Sequence, residues 1–384
     1  MRIGFDATVL SPATRYSGVG EYTHRLLPAL ASAFPDDEFI LYAAPGAAAT
    51  FSLRPNQRWV HLPSTPLGRA SAATAQLLAL PMMASAQKID VMHTPTVHTR
   101  ASMPPVPSRL PCPLVVTVHD IIPLTYYARN GDALPWRMRT FYGWNLRRAL
   151  RAEHIVTVSE ASKRDIVAEC GLDGDRISVV YNGIDDDEGP PSRMTSLPQP
   201  YILYVGSYEP RKNLRRLLDG FEEAVAGGLP HHLVLVVEAE SGHKAALHGY
   251  AERLDCAGRL RFLHSLDDAT MHDVYAGAEM FVFPSLYEGF GLPPLQAMAA
   301  GVPVISSPAG SLHEVLGEAA VYVDPAEATT IAAAIQRLAA DPGLRERLAG
   351  EGRRQAALYS WDKAAKETMD VYRSVASLSH AETA

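Results

Sequence analysis

The chain has 384 residues, of which 47% are hydrophobic and 20% charged, and its formal net charge at pH 7 is −7. This is the composition of a globular protein rather than a disordered chain, and the length exceeds what one hydrophobic core usually organises, so two domains are expected. The acidic balance argues against general nucleic-acid binding, and three scattered cysteines, Cys112, Cys170 and Cys256, suggest neither a disulfide framework nor a zinc knuckle.

The chain opens as Met1-Arg-Ile-Gly-Phe-Asp6, without the apolar stretch of a signal peptide. The most apolar helical candidate, Ala70 to Ala86, carries Ser71, Thr74, Gln76, Pro81 and Ser85 and is too short and too polar to span a bilayer. A cytoplasmic protein is expected. Short β-branched or aliphatic runs then alternate with amphipathic helical stretches, the pattern of parallel α/β sheets. Strands are expected near Arg2–Asp6, Glu38–Tyr42, Trp59–Leu62, Val91–Thr94, Leu114–Val118, Ile155–Val158 and Ile177–Val180. The first helix, from about Glu21 to Phe34, puts Tyr22, Leu26, Leu30 and Phe34 on one face.

After Tyr181-Asn-Gly-Ile-Asp185 the chain turns acidic and then proline-rich up to Pro200, which excludes regular structure. The boundary is placed there: a first domain over 1–190, a linker over 191–200, a second domain over 201–360, and a closing helix and tail over 361–384. Strands of the second series are expected near Tyr201–Val205, Leu233–Val237, Leu260–Leu263, Met280–Phe283, Val302–Ser306 and Val321–Val323, with helices from about Pro325 to the end.

Ligands of open parallel sheets bind beyond the carboxyl ends of the strands, so the residues after each strand are the candidates. Ser17-Gly-Val-Gly20 enters the first helix and either aims backbone N–H groups at a phosphate or makes a bare turn. His119-Asp120 follows a strand; the imidazole suits a sugar hydroxyl, or is a structural hydrogen-bonder. Arg211 and Lys212 sit at a strand-to-helix turn and supply the charge and donors that a diphosphate needs, although exposed basic pairs are common. The most specific segment is Pro284-Ser-Leu-Tyr-Glu-Gly-Phe-Gly-Leu292, where glycines flank Glu288 and a helix begins near Leu292. A carboxylate beside a helix-terminus anion site suits a polyhydroxylated ligand, the alternative being a helix cap.

Taken together, Phe5-Asp6, Gly18-Val-Gly20, Val118-His-Asp120, Tyr181-Asn-Gly-Ile-Asp185, Glu209-Pro-Arg-Lys-Asn213, the Glu288 segment and Ser360-Trp361 resemble the bacterial retaining glycosyltransferases of family 4, the group 1 glycosyltransferases. The resemblance implies the GT-B fold: two Rossmann-like α/β domains facing across a cleft, acceptor mostly on the first and nucleotide sugar on the second, with the C-terminal helix packing back on the first. It implies a sugar nucleotide as co-substrate, no metal or other cofactor, and a glycan or polyprenyl-linked saccharide as acceptor. GDP-mannose is the favoured donor, because the Glu-Pro-Arg-Lys-Asn turn resembles that of mannosyltransferases of cell-envelope polysaccharides. Carried over, the pattern makes Glu288 and His119 the candidate catalytic residues, both contacting the donor sugar. Gly18 and Gly20 lie near the donor phosphate and Arg211 and Lys212 hold the diphosphate, while Phe290, Gly291 and Leu292 present backbone N–H groups. Retention by front-side attack then needs no protein nucleophile.

Two positions depart from the pattern. Gln296 stands where a second Glu usually meets the nucleotide ribose, and Ser207 where many members carry Arg. Weaker nucleotide affinity is expected from Gln296, and a catalytically weakened sugar-nucleotide-binding protein is the alternative. An oxidoreductase lacks its dinucleotide fingerprint. Asp185 and Asp187 match an Asp-x-Asp metal motif but sit next to the linker rather than beside the donor crevice, and are read as a solvated charge run. Leu134 to Arg151 interleaves Trp136, Phe141, Tyr142 and Trp144 with five arginines; it is read as a packed helix with a basic face, and peripheral contact with the inner membrane face stays open.

Overall fold

The structure, a computed structural model, describes residues 1–10, 17–43, 51–63, 69–97, 105–107, 110–127, 135–184, 197–237 and 243–383. The chain forms two compact units, one of Met1–Gly183 with Ser360–Ala384 and one of Ile184–Tyr359. Most of the expected linker, and with it Asp185 and Asp187, lies outside the described residues.

The first unit is a parallel sheet of seven described strands: β1 (Arg2–Asp6), β2 (Glu38–Ala43), β3 (Gln57–His61), β4 (Val91–Thr94), β5 (Leu114–Thr117), β6 (His154–Thr157) and β7 (Ile177–Val179). Their order is β3-β2-β1-β4-β5-β6-β7. Its helices are α1 (Gly18–Ala33), α2 (Arg69–Ala86), α3 (Trp136–Ala149) and α4 (Glu160–Cys170). Successive residues of a strand point to opposite faces, and both faces are covered, which is why the strands read as continuous apolar runs. Ile3, Phe5, Phe39 and Leu41 enter one core; Ile40, Tyr42, Met92 and Val116 enter the other.

The first of these cores is closed from the far end of the chain. The last helix, which becomes α12 in the numbering completed below and spans Trp361–Thr383, lies against α1 and buries Trp361, Ala365, Met369 and Tyr372. The C-terminal helix therefore packs on the first domain, as the family resemblance implies. A buried polar chain fastens it to the sheet. Tyr372 bonds His93 Nδ1, His93 Nε2 bonds Thr117 Oγ1 at 2.7 Å, and Thr117 bonds the Tyr22 hydroxyl at 3.0 Å.

The second unit holds β8 (Tyr201–Gly206), β9 (His232–Val237), β10 (Leu260–Leu263), β11 (Met280–Phe283), β12 (Val304–Ser306) and β13 (Ala320–Tyr322), again all parallel, in the order β10-β9-β8-β11-β12-β13. Between and after them run α5 (Leu214–Ala226), α6 (Lys244–Ala251), α7 (Asp268–Ala276), α8 (Leu292–Ala299), α9 (Leu312–Leu316), α10 (Ala328–Ala340) and α11 (Pro342–Ala356), which precedes α12. Both sheets are doubly wound. Strand order reverses between β1 and β4 in one and between β8 and β11 in the other, so the loops after those strands diverge and leave room for a ligand. Among the described residues no helix is long and apolar enough to cross a membrane.

Candidate active site

In the second unit the two loops at the switch point are the two that carry the candidate residues. The loop after β8 folds into a 3-10 turn, Pro210–Lys212, and ends at Asn213 in the left-handed conformation with φ 60°. The Asn213 amide donates to Pro284 O at 3.0 Å and to Pro325 O at 2.7 Å, and Leu286 N donates to Arg211 O at 2.7 Å. The bonds to Pro284 and Leu286 lace the β8 loop to the loop that follows β11, and the bond to Pro325 ties it to the segment after β13. The backbone, not only the side chains, sets the distance between Arg211-Lys212 and Glu288.

Glu288 is 6% exposed. Lys212 Nζ donates to its Oε1 at 2.7 Å and Arg211 Nη1 to its Oε2 at 2.8 Å; Arg211 Nε also donates to Glu209 Oε2 at 2.7 Å. Burial alone would raise the Glu288 carboxyl, but Lys212 and then Arg211 hold it at about 2. Lys212 is pulled down by its own burial and by Arg211, with Glu288 opposing both. Glu288 is therefore a fixed anion between two cations. A carboxylate has about four acceptor positions; the two ion pairs take one on each oxygen, and the Ser285 hydroxyl also holds the carboxyl down.

The backbone of Glu288 is clamped by a third loop, the one after β12. Ser311 N and Oγ donate to Glu288 O at 3.1 and 3.2 Å. Gly310, with φ 64°, lies so close that a Cβ there would stand 2.3 Å from Glu288 O. Gly291, with φ 99°, turns the chain into α8, and a Cβ there would stand 2.6 Å from Leu312 Cδ2. At Gly310 a side chain would have to move the Glu288 backbone, whereas at Gly291 the Leu312 side chain could yield and the cost is the positive φ.

The start of α8 is a narrower anion site than its dipole suggests. Its first three residues are Leu292, Pro293 and Pro294, and proline has no N–H. Only Leu292 offers a helical N–H there, so Phe290, Gly291 and Leu292 form a short row of backbone donors rather than a full helix terminus. One turn along, Gln296 accepts at Oε1 from the Tyr275 hydroxyl at 3.1 Å. Ser207 follows the end of β8, and its carbonyl accepts from the Tyr204 hydroxyl at 3.4 Å.

In the first unit α1 starts at Gly18, three residues before the expected Glu21, because the Ser17 hydroxyl accepts from Gly20 N at 3.1 Å and caps the helix. Gly18 and Gly20 thus belong to the first turn of α1 rather than to the loop before it. His119 follows β5. Its Nε2 lies 2.9 Å from Pro95 O, and its ring meets that of Tyr22 edge to face at 4.7 Å. A carbonyl only accepts, so Nε2 carries the hydrogen. Burial, partly opposed by the Pro95 bond, brings the imidazole down to about 4, so near neutral pH Nδ1 keeps its lone pair.

Arg211, Lys212 and Glu288 are thus in direct contact, Phe290, Gly291 and Leu292 continue the Glu288 loop, and Gln296 lies one turn beyond. Gly18, Gly20 and His119 belong to the other unit. Asn213 and Tyr275 carry no sequence signal that marks them for this site, and Gly310 and Ser311 lie in a Pro308-Ala-Gly-Ser311 run with only a generic turn signal. Among the described residues no group of three His, Cys, Asp or Glu side chains is arranged to hold a metal ion.

Residues 16–188 match the family described as Glycosyltransferase Family 4, and residues 189–355 that described as Glycosyl transferases group 1. The chain is 34% identical over 242 residues to O-antigen chain mannosyltransferase B of Escherichia coli, covering 58% of this chain and 61% of that protein. It is 32% identical over 274 residues to MMP alpha-(1->4)-mannosyltransferase of Mycolicibacterium hassiacum, covering 68% of this chain and 65% of that protein. The matched stretches thus span somewhat less than two thirds of these relatives. Among solved structures, sucrose-phosphate synthase from Thermosynechococcus elongatus superposes with a TM-score of 0.78 at 20% identity, over 97% of this chain and 98% of that one, which is a likeness of fold.

Proposed function

The chain belongs to the group 1 and family 4 glycosyltransferases of the GT-B fold, related to bacterial mannosyltransferases of polysaccharide synthesis, and from that premise we propose that it is a retaining, metal-independent glycosyltransferase whose donor is GDP-mannose. The observation that carries the reading is the Arg211–Glu288–Lys212 contact at the switch point of the second sheet. Arg211 and Lys212 supply the positive charge that a leaving diphosphate needs, together with the short row of N–H groups from Phe290 to Leu292. Glu288 takes the sugar hydroxyls. His119 contacts the sugar through Nδ1 as an acceptor, and Gly18 and Gly20 lie near the donor phosphate, the Gly20 N–H being held by the Ser17 hydroxyl. Gln296 meets the ribose.

In the proposed reaction the bond from the anomeric carbon to the diphosphate oxygen breaks as the bond to the acceptor oxygen forms on the same face. The acceptor proton passes to the departing diphosphate, so no side chain is consumed as nucleophile or base. Preference for mannose rests on the named relatives, both mannosyltransferases. The acceptor in this reading is a glycan or polyprenyl-linked saccharide at the cytoplasmic face of a membrane. A peripheral contact is supported by α3, where Trp136 is 68% and Trp144 41% exposed, with Arg137 and Arg148 over their rings.

The test is a screen of GDP-, UDP- and ADP-sugars for hydrolysis and thermal shift, with EDTA controls. Turnover of GDP-mannose unaffected by EDTA is expected. Loss of activity with EDTA, restored by a divalent ion, would remove the metal-independent mechanism. Binding without hydrolysis or transfer would favour the weakened binding protein, a reading that Gln296 and Ser207 support.

A further inference from the structure

Gln296 differs from the glutamate of the family pattern in more than charge. A carboxylate presents two equivalent acceptors, whereas a carboxamide has an accepting end and a donating end, and what it offers a ligand depends on which end is already engaged. Here the accepting end is engaged. The Tyr275 hydroxyl donates to Gln296 Oε1 at 3.1 Å, while among the described residues nothing accepts from Nε2. Tyr275 is itself held firmly. It lies on α7 against α8, is 4% exposed, and its ring packs on Phe281 of β11 with centroids 5.9 Å apart.

We infer that Tyr275 is a positioning residue that sets the hydrogen-bonding polarity of Gln296, so that the nucleotide ribose is met by an N–H donor and is read as an acceptor. The inference rests on the reading that Gln296 meets the ribose. A hydroxyl can give or take a hydrogen bond, so the exchange of Glu for Gln reverses the direction of the bond without abolishing it. Recognition then depends on which way the amide faces, and the Tyr275 phenol, a better donor than acceptor, favours the orientation that brings Oε1 to it and leaves Nε2 for the ribose.

The experiment is calorimetric titration of GDP, UDP and ADP, and then of the 2′-deoxy and 3′-deoxy forms of whichever binds most tightly. It compares the unaltered protein with Gln296→Ala, Tyr275→Phe, and Tyr275→Phe combined with Gln296→Glu, each checked by thermal melting. The unaltered protein is expected to prefer the ribonucleotide over one deoxy form by roughly three- to tenfold, the range of a single neutral hydrogen bond. Gln296→Ala should erase that preference and Tyr275→Phe should cut it at least by half. The double variant should regain it, because a carboxylate has no ends to orient. If Gln296→Ala erases the preference and Tyr275→Phe leaves it whole, the positioning role is wrong and the ribose contact stands. Failure of the glutamate to restore the preference would make Tyr275 merely structural and overturn the inference. An unchanged preference in Gln296→Ala would remove the ribose contact itself, and the inference with it.

Discussion

At the carboxyl edge of the second sheet the candidate residues are ions. Glu288 is buried between Arg211 and Lys212, and three loops are bonded to one another around it. At the carboxyl edge of the first sheet the candidates are two helix-start glycines and a neutral imidazole, His119, whose one described hydrogen bond is to a backbone carbonyl. The contrast is between a site specified by paired charge and a site specified by a tautomer. Paired charge tolerates acid but not the loss of a partner. A neutral imidazole tolerates some substitution, but not protonation.

The largest expected effect follows from the charged edge. Glu288→Gln should lower kcat/KM for the sugar nucleotide by on the order of 10²–10⁴, the worth of two charge-assisted bonds, and should lower the melting temperature as well, because the amide leaves Lys212 buried beside Arg211 without its counter-charge. Glu288→Ala should cost more stability, roughly 3–5 kcal/mol, because it removes the hydrogen-bond acceptor together with the charge. Near-normal turnover by the Gln variant would take the chemistry away from this edge and dissolve the comparison.

Acid should separate the two edges next. His119 falls to about 4 and His93, under burial and then the neighbouring His119, to about 3. Both bind fewer protons folded than unfolded, so the stability they allow is complete above about pH 6.5 and is lost as pH falls toward their folded values. By pH 5 the loss is roughly 2 kcal/mol for each imidazole. Glu288, held at about 2, loses its contribution only as pH falls from the ordinary carboxylate range toward that value. Denaturant melts at pH 7 and pH 5 should therefore differ, and combined His93→Gln and His119→Asn substitution should flatten the difference. An equal pH dependence in that variant would mean that the imidazoles do not carry it.

A smaller effect tests the tautomer. The Asn amide oxygen can stand where Nδ1 stands, and the Gln amide reaches where Nε2 stands. His119→Asn is expected to keep roughly tenfold more kcat/KM than His119→Gln, about the value of one hydrogen bond to a polar ligand. The reverse order would assign the sugar contact to Nε2. The smallest effect is at Gln296, where Gln296→Glu should tighten nucleoside diphosphate binding roughly three- to tenfold through charge assistance, as read by titration. Unchanged or weaker binding would speak against a ribose contact there.

The strands were legible because parallel strands covered on both faces become apolar runs, and Val91–Thr94, Leu260–Leu263 and Met280–Phe283 agree with expectation to the residue. The Glu288 segment was legible because glycine and proline mark the turn and the helix start. Its partners were not, since Arg211 and Lys212 lie 77 and 76 residues away and reading by segments assigned them to a phosphate alone. The start of α1 was misplaced because Gly18 and Gly20 are poor helix formers, and only the Ser17 cap shows that they belong to the helix. The tautomer of His119 and the anchored end of Gln296 depend on a Pro95 carbonyl and a Tyr275 hydroxyl that no local pattern announces.

The placement of α12 has a consequence for the order in which the molecule is made. The second unit is one uninterrupted stretch, Ile184–Tyr359, whereas the first is completed only by residues that follow it. During synthesis the unit that begins second has its full sequence first. Meanwhile one apolar face of the first sheet, the one that receives Trp361, Met369 and Tyr372, waits on the ribosome for its cover.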